Sequence, residues 1–158
     1  MGDGVPTRAS SREAECPRLA RNVREAREEF DSFDDAQLRY SFLIELSGYV
    51  GRPDLDLISE RFAWNACQSP TWVDVEFDDD GMLAMRYWSD TMLVRGVLYV
   101  VASLFEGVPA EEAARGEVDL DEVFGVRGFL SERRKQSAMG IVGLIRTRAR
   151  AWAAAHQA

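Results

Sequence analysis

The run from Met92 to Phe105 constrains this chain more than any other segment. Met92, Leu93, Val94, Val97, Leu98, Val100, Val101, Leu104 and Phe105 cover nearly the whole circumference of a 3.6-residue helix. A helix that is apolar all round must be enclosed by the rest of the chain. It is too short to span a bilayer, which takes about 20 consecutive apolar residues, and Arg95 and Gly96 interrupt it. A chain of 158 residues is long enough to wrap one core around such a helix.

The neighbouring segments supply that wrapping. Just before the helix, Val73, Val75 and Phe77 alternate with Asp74 and Glu76, and Leu83, Met85 and Tyr87 continue the alternation after an Asp78-Asp79-Asp80-Gly81 turn. That is a hairpin with one buried face and a glycine for positive φ. The spacing predicts a first helix from Arg18 to Phe30 with Leu19, Val23, Ala26 and Phe30 as its stripe. A second helix follows an Asp34/Gln37 capping signal and runs to about Ser47, with Leu38, Phe42, Leu46 and Tyr49 facing inward. Ser89 or Asp90 is expected to cap the central helix, and Gly107 and Pro109 to stop it. Pro109 starts a short helix with Glu111 and Glu112 in its first turn, favourable to that helix's dipole. A short element follows around Leu120, Val123 and Phe124. Ser131 opens the last helix, with Arg146, Arg148 and Arg150 near its end. Helices, a hairpin and more helices make an α+β pattern: a small antiparallel sheet packed against several helices. Residues 1–17 read as a flexible tail without the apolar core of a secretory signal, and residues 18–155 as the single domain.

What the composition excludes narrows the chemistry. The net charge is −8, which repels phosphate and argues against nucleic acid or an anionic membrane as a partner. The chain holds two cysteines, Cys16 and Cys67, and one histidine, His156. Three such residues fall short of the four ligands of a structural zinc site. The histidine lies at the far carboxyl end, so a nucleophile paired with histidine is not in view. Cys16 falls in the tail. Cys67 lies in a polar loop, Asn65 to Pro70, that leads into the first strand. The residues alone leave two readings of Cys67 open: a structural thiol beside Trp64 and Trp72, or an accessible nucleophile.

The segment Asn65-Ala66-Cys67-Gln68-Ser69-Pro70-Thr71-Trp72 resembles the cysteine motif of the SufE family, in which Gly-Cys-Gln-Ser precedes the first strand. Tyr40 to Leu46 is similar to an early helix of that family. Ser89-Asp90 with Val94-Arg95-Gly96-Val97 resembles its Ser-Asp…Val-Arg-Gly segment, and Arg134 falls where the family has a Ser-Arg pair. The likeness runs from about Leu38 to Arg150. It implies a SufE/IscU-like fold and a sulfur relay: Cys67 takes persulfide sulfur from a SufS-like cysteine desulfurase and passes it to a SufBCD-like iron–sulfur scaffold. It implies no cofactor of the chain's own, the pyridoxal phosphate belonging to the desulfurase, and no independent turnover. Asp90 and Arg134 correspond to positions tied to partner docking and to the setting of the cysteine; Gln68 and Ser69 shape the loop. A cytoplasmic monomer or weak homodimer is expected. Two other roles stay open, a non-catalytic activator of a desulfurase and a sulfur donor to a specialised cofactor or metabolite pathway. An IscU-type scaffold needs more cysteines than one. The chain departs from the family in Ala66, which replaces the glycine, in Pro70, and in the Phe129-Leu130-Ser131-Glu132-Arg133 run; Ala66 and Pro70 predict a stiffer loop.

Overall fold

The structure, a computed structural model, describes residues 15–125 and 130–157. Its elements are α1 (Pro17–Asp31), α2 (Ala36–Ser47), two 3-10 turns (Leu55–Leu57 and Glu60–Phe62), β1 (Thr71–Phe77), β2 (Leu83–Ser89), α3 (Met92–Leu104), α4 (Ala110–Arg115), α5 (Leu120–Phe124) and α6 (Glu132–Ala155). The two strands form one antiparallel sheet, so the architecture is α+β. No helix among the described residues is long and apolar enough to cross a membrane. Residues 1–14 of the expected tail, and Phe129 of the run before the last helix, lie outside the described residues.

Helix α3 is the centre of the molecule. Leu93, Val94, Val97, Leu98, Val100, Val101 and Leu104 are buried on it, and α2, α1, α6 and β2 pack around it. Only Met92, at its start, stands well out. Gly96 lets α2 come close, because a Cβ there would lie 2.1 Å from the Leu43 carbonyl oxygen. The helix has no side-chain cap: its N-cap is Thr91, and Ser89, expected to cap it, instead accepts the Thr91 N–H on its hydroxyl at 3.3 Å. Asp90 does not cap it either.

The hairpin pairs Val73 with Tyr87, Val75 with Met85 and Phe77 with Leu83, which puts the alternating apolar set on one face. Asp78 Oδ1 accepts the N–H groups of Asp80 and Met82, both at 2.9 Å, and Gly81 takes φ +78°. The indole of Trp152, near the end of α6, lies against Gly81 and donates to the Asp78 carbonyl at 2.9 Å. One face of the sheet is therefore clamped at its turn by the last helix.

Three local readings of the sequence need correction. The N-cap of α2 is Asp35, not Asp34; its carboxylate accepts the Leu38 N–H at 2.8 Å. Of the expected stripe of α2, Phe42 and Leu46 do pack half-buried against the core, but Leu38 and Tyr49 are exposed, and the fully buried line is Arg39, Leu43 and Ser47. The reason is Arg39, whose guanidinium donates to the Phe33 carbonyl at 3.0 Å and to the Phe124 carbonyl. With its donors satisfied by these two carbonyls Arg39 can be buried, and Leu38, its neighbour on the helix, faces out. Finally, Arg146 and Arg150 do not serve the dipole of their own helix, which continues to Ala155. They donate to the Gly116 carbonyl at 2.7 Å and to the Ala114 carbonyl at 3.3 Å, at the carboxyl end of α4.

The amino end of the domain also differs from expectation. Cys16 and Pro17, read as tail, belong to the packed structure: Cys16 is the buried N-cap residue of α1. Cys16 supplies no side-chain cap. Glu112 does so from α4, its buried carboxylate accepting the N–H of Arg18 at 2.8 Å and of Leu19 at 3.1 Å. Glu112→Ala is expected to destabilise the fold by about 1–3 kcal/mol, the cost of leaving buried donors unpaired. A fall in the urea midpoint at unchanged slope measures it.

Candidate functional site

The cysteine loop is a closed turn of chain. Its base is the hydrogen bond from Trp64 N–H to the Thr71 carbonyl at 2.8 Å, beside the bridge between Ala63 and Trp72. At the exit, Thr71 Oγ1 donates to the Ser69 carbonyl at 2.9 Å, and Ser89 Oγ donates to the Pro70 carbonyl at 3.2 Å. The Asp90 N–H reaches the same Pro70 carbonyl at 3.1 Å, and Thr91 Oγ1 donates to Ser69 Oγ at 2.6 Å. Pro70 cannot donate, but its carbonyl is the knot of this clasp. No non-glycine residue among the described ones has positive φ, so Ala66 meets no backbone demand that alanine resists.

Between these fixed ends the chain displays its polar side chains and turns the thiol inward. Asn65, Ala66 and Gln68 are exposed, whereas Cys67 is half-buried. Cys67 faces a cavity of about 20 Å³ lined by Val94, Val97 and Leu98 of α3 and by Ala138 and Ile141 of α6. That is room for one water-sized atom in apolar surroundings. The thiol also borders a second small pocket, lined by Gln68, Ser69 and Arg133. Val94, Arg134 and Ser137 line both spaces.

Of the five residues singled out from the sequence, the structure thus brings four together: Cys67, Gln68, Ser69 and Arg134. Asp90 is apart. It is exposed, lines neither space, and touches the loop only through its backbone N–H. Arg61, near Cys67 in the chain, also lies elsewhere, its guanidinium over the Phe62 ring. Arg133, Ser137, Thr91 and Trp64 join the site without having been marked in the sequence. Arg133 and Ser137 were findable from helical spacing, because Ser137 lies three residues after Arg134 and four after Arg133, which puts it on the same face as both.

The electrostatics follow from placement. The first turn of α6, starting after Ser131, carries Arg133 and Arg134 beside the thiol in an otherwise acidic chain. Backbone N–H groups at a helix start add positive potential there. Cys67 is half-buried beside them. Cys16 is buried, and burial, then the nearby Glu112, push its thiol above the ordinary value of 9.0. Iodoacetamide at about pH 8 is therefore expected to modify Cys67 at least about ten-fold faster than Cys16. Peptide mass mapping over a time course reads both rates in one sample.

Comparison with known proteins bears on the geometry now described. The family model described as SufE, Fe-S metabolism associated domain, matches residues 24–149. The chain belongs to the SufE family. That match begins earlier than the likeness read from the motifs and takes in the second half of α1. An uncharacterized SufE-like protein of Rhizobium meliloti is 28% identical over 123 residues, 75% of this chain and 86% of the relative. Another, from Rhizobium etli, is 29% identical over 134 residues, 81% of this chain and 89% of the relative. A hypothetical protein of Thermus thermophilus, solved in solution, superposes with a TM-score of 0.66 at 18% identity, covering 82% of this chain and 94% of its own. This last likeness speaks for the fold. Membership of the SufE family associates the chain with iron–sulfur metabolism and with sulfur transfer alongside a cysteine desulfurase.

Proposed function

We propose that this SufE-family chain accepts a sulfur atom on Cys67 as a persulfide, from a SufS-like cysteine desulfurase, and delivers it to a SufBCD-like iron–sulfur scaffold. The observation that supports this reading best is the setting of Cys67: a loop thiol between an apolar recess and a pocket that holds Arg133, with Arg134 lining both.

The step is a displacement at sulfur. The Cys67 thiolate attacks the outer sulfur of the desulfurase persulfide; a new S–S bond forms at Cys67, the partner's S–S bond breaks, and the partner leaves as a thiolate. In the second transfer the same outer sulfur is attacked by an acceptor thiolate, and Cys67 leaves as thiolate. The arginines stabilise negative charge on both the attacking and the leaving sulfur. The recess keeps reductants and oxidants from the carried sulfur between the two events. Pyridoxal phosphate is the desulfurase's, and this chain's residues need none.

The test is direct. Incubated with a desulfurase, free cysteine and pyridoxal phosphate, the chain is expected to gain about 32 Da, one sulfur atom, reversed by a reducing thiol. The added mass must map to the peptide holding Cys67. Mass on the Cys16 peptide alone, or none at all, would defeat the reading.

A further inference from the structure

The sheet has one covered edge and one open edge. Beyond β1, Ala63 bridges to Trp72, whereas β2 has β1 as its one neighbouring strand among the described residues. Two bonds close the ends of the hairpin, from the Asp78 N–H to the Met82 carbonyl and from the Asp90 N–H to the Pro70 carbonyl. They make Phe77–Leu83 and Thr71–Ser89 pairs of the non-hydrogen-bonded kind. Counting by twos between them, Met85 and Tyr87 also turn their backbone N–H and C=O away from β1, towards the open edge. With Leu83, their side chains line a groove of about 230 Å³ whose other wall includes Tyr99, Ala102 and Glu106 of α3. Helix α3 turns back along β2, so the groove has two ends. At one, Arg95 lies over the Trp88 ring at 4.3 Å, and its Nε is buried without an acceptor among the described residues. At the other stands Glu106, exposed, beside Leu83. Tyr49, 68% exposed, stacks on Tyr99 at 5.9 Å.

We propose that this open edge binds a second copy of the chain, β2 against β2 about a two-fold axis, so that the two hairpins form one continuous sheet. A two-fold interface must be complementary to itself, and the groove meets that condition in its charges. Arg95 and Glu106 stand at opposite ends, so Arg95 of one protomer faces Glu106 of its partner, and the same pair forms again across the axis. Charge also selects the register. Centred on Met85, the pairing sets Met85 against Met85, Leu83 against Tyr87 and Ala84 against Arg86. The outward backbone groups of Leu83, Met85 and Tyr87 then all find partners. Centred on Arg86, it would set two guanidinium groups directly opposite each other. The Met85 register also covers Leu83, Met85, Tyr87 and Tyr99, apolar surface that water otherwise reaches. The Cys67 cavity lies against Val94, Val97 and Leu98, a different face of α3, and takes no part. The pairing therefore stands or falls independently of sulfur transfer.

Sedimentation velocity of the intact chain at low salt, between about 5 and 500 μM, reads the association over the range of a weak dimer. The wild type is expected to move from the mass of one chain towards that of two as concentration rises. Hydrogen exchange over the same series is expected to slow at the Met85 and Tyr87 amides, which β1 leaves open. Met85→Pro removes an N–H that the hairpin does not use and places a ring where the second strand would lie. It is expected to weaken association at least about ten-fold. Glu106→Arg is expected to weaken it about ten-fold, and adding Arg95→Glu to restore the constant to within about two-fold, because the pairs are then reversed rather than lost. Should Met85→Pro fail to fold, the reversal at the exposed Glu106 decides alone. A wild type that stays monomeric at the highest concentration, a dimer indifferent to Met85→Pro and Glu106→Arg, or a reversal without rescue would each overturn the pairing.

Discussion

Cys67→Ser is expected to fold as the wild type does and to accept no sulfur. The change replaces a sulfur by an oxygen in a half-buried side chain, and the hydroxyl can turn towards the polar side that Gln68 and Ser69 share. The unfolding midpoint should therefore shift by no more than about 1 kcal/mol in stability. The chemistry, by contrast, goes entirely. A serine hydroxyl stays protonated at neutral pH without a base, and the only histidine, His156, is stacked on Trp152 at the far end of α6. Two measurements check the result together: the persulfide mass gain must vanish, and any acceleration of cysteine turnover by the desulfurase must vanish with it. Acceleration that survives in Cys67→Ser would make the chain a non-catalytic activator instead.

The second large effect is structural. Gly96→Ala should destabilise the protein by about 3 kcal/mol or more, a sizeable share of the roughly 5–15 kcal/mol that holds a domain of this kind folded. Helix propensity alone points the other way, favouring alanine by about 1 kcal/mol. The clash decides the sign. The new Cβ would stand 2.1 Å from the Leu43 oxygen and 2.8 Å from the Leu43 carbon, both backbone atoms that no rotamer change can move aside. Helices α2 and α3 would have to separate by more than about an ångström, opening a densely packed core. Chemical denaturation followed by circular dichroism reads the loss; a midpoint equal to or above that of the wild type would refute it. Because α3 also carries Val94, Val97 and Leu98 beneath the thiol, a surviving fraction should show faster alkylation of Cys67.

Much of this was legible before any coordinates. The all-round apolar run of α3 and the alternation of Val73, Val75 and Phe77 are periodic signals that no tertiary contact needed to supply. Cys67 emerged by subtraction, and the Cys-Gln-Ser and Ser-Asp…Arg-Gly segments pointed to the family that the comparison then showed. What stayed hidden depended on distant partners. Arg39 looks like a surface residue until Phe33 and Phe124 offer it carbonyls. Glu112 looks like a first-turn acid of its own helix until α1 presents bare N–H groups. Cys16 sits one residue before a proline in a polar stretch, and nothing local announces its burial. Trp64 and Ser137, whose Oγ accepts the indole N–H at 3.1 Å, are far apart in the chain, and only the glycine at position 140, itself unremarked in the sequence, gives the indole a place to lie.

The span of the last helix has a mechanical consequence. Helix α6 is 24 residues long, about 36 Å at 1.5 Å per residue, and it touches the cysteine loop near one end and the hairpin turn near the other. It is a splint laid along the sheet, joining the entrance of the cysteine loop to the hairpin turn. On the proposed function, a visiting protein meets the short arc between Trp64 and Thr71 against this backing.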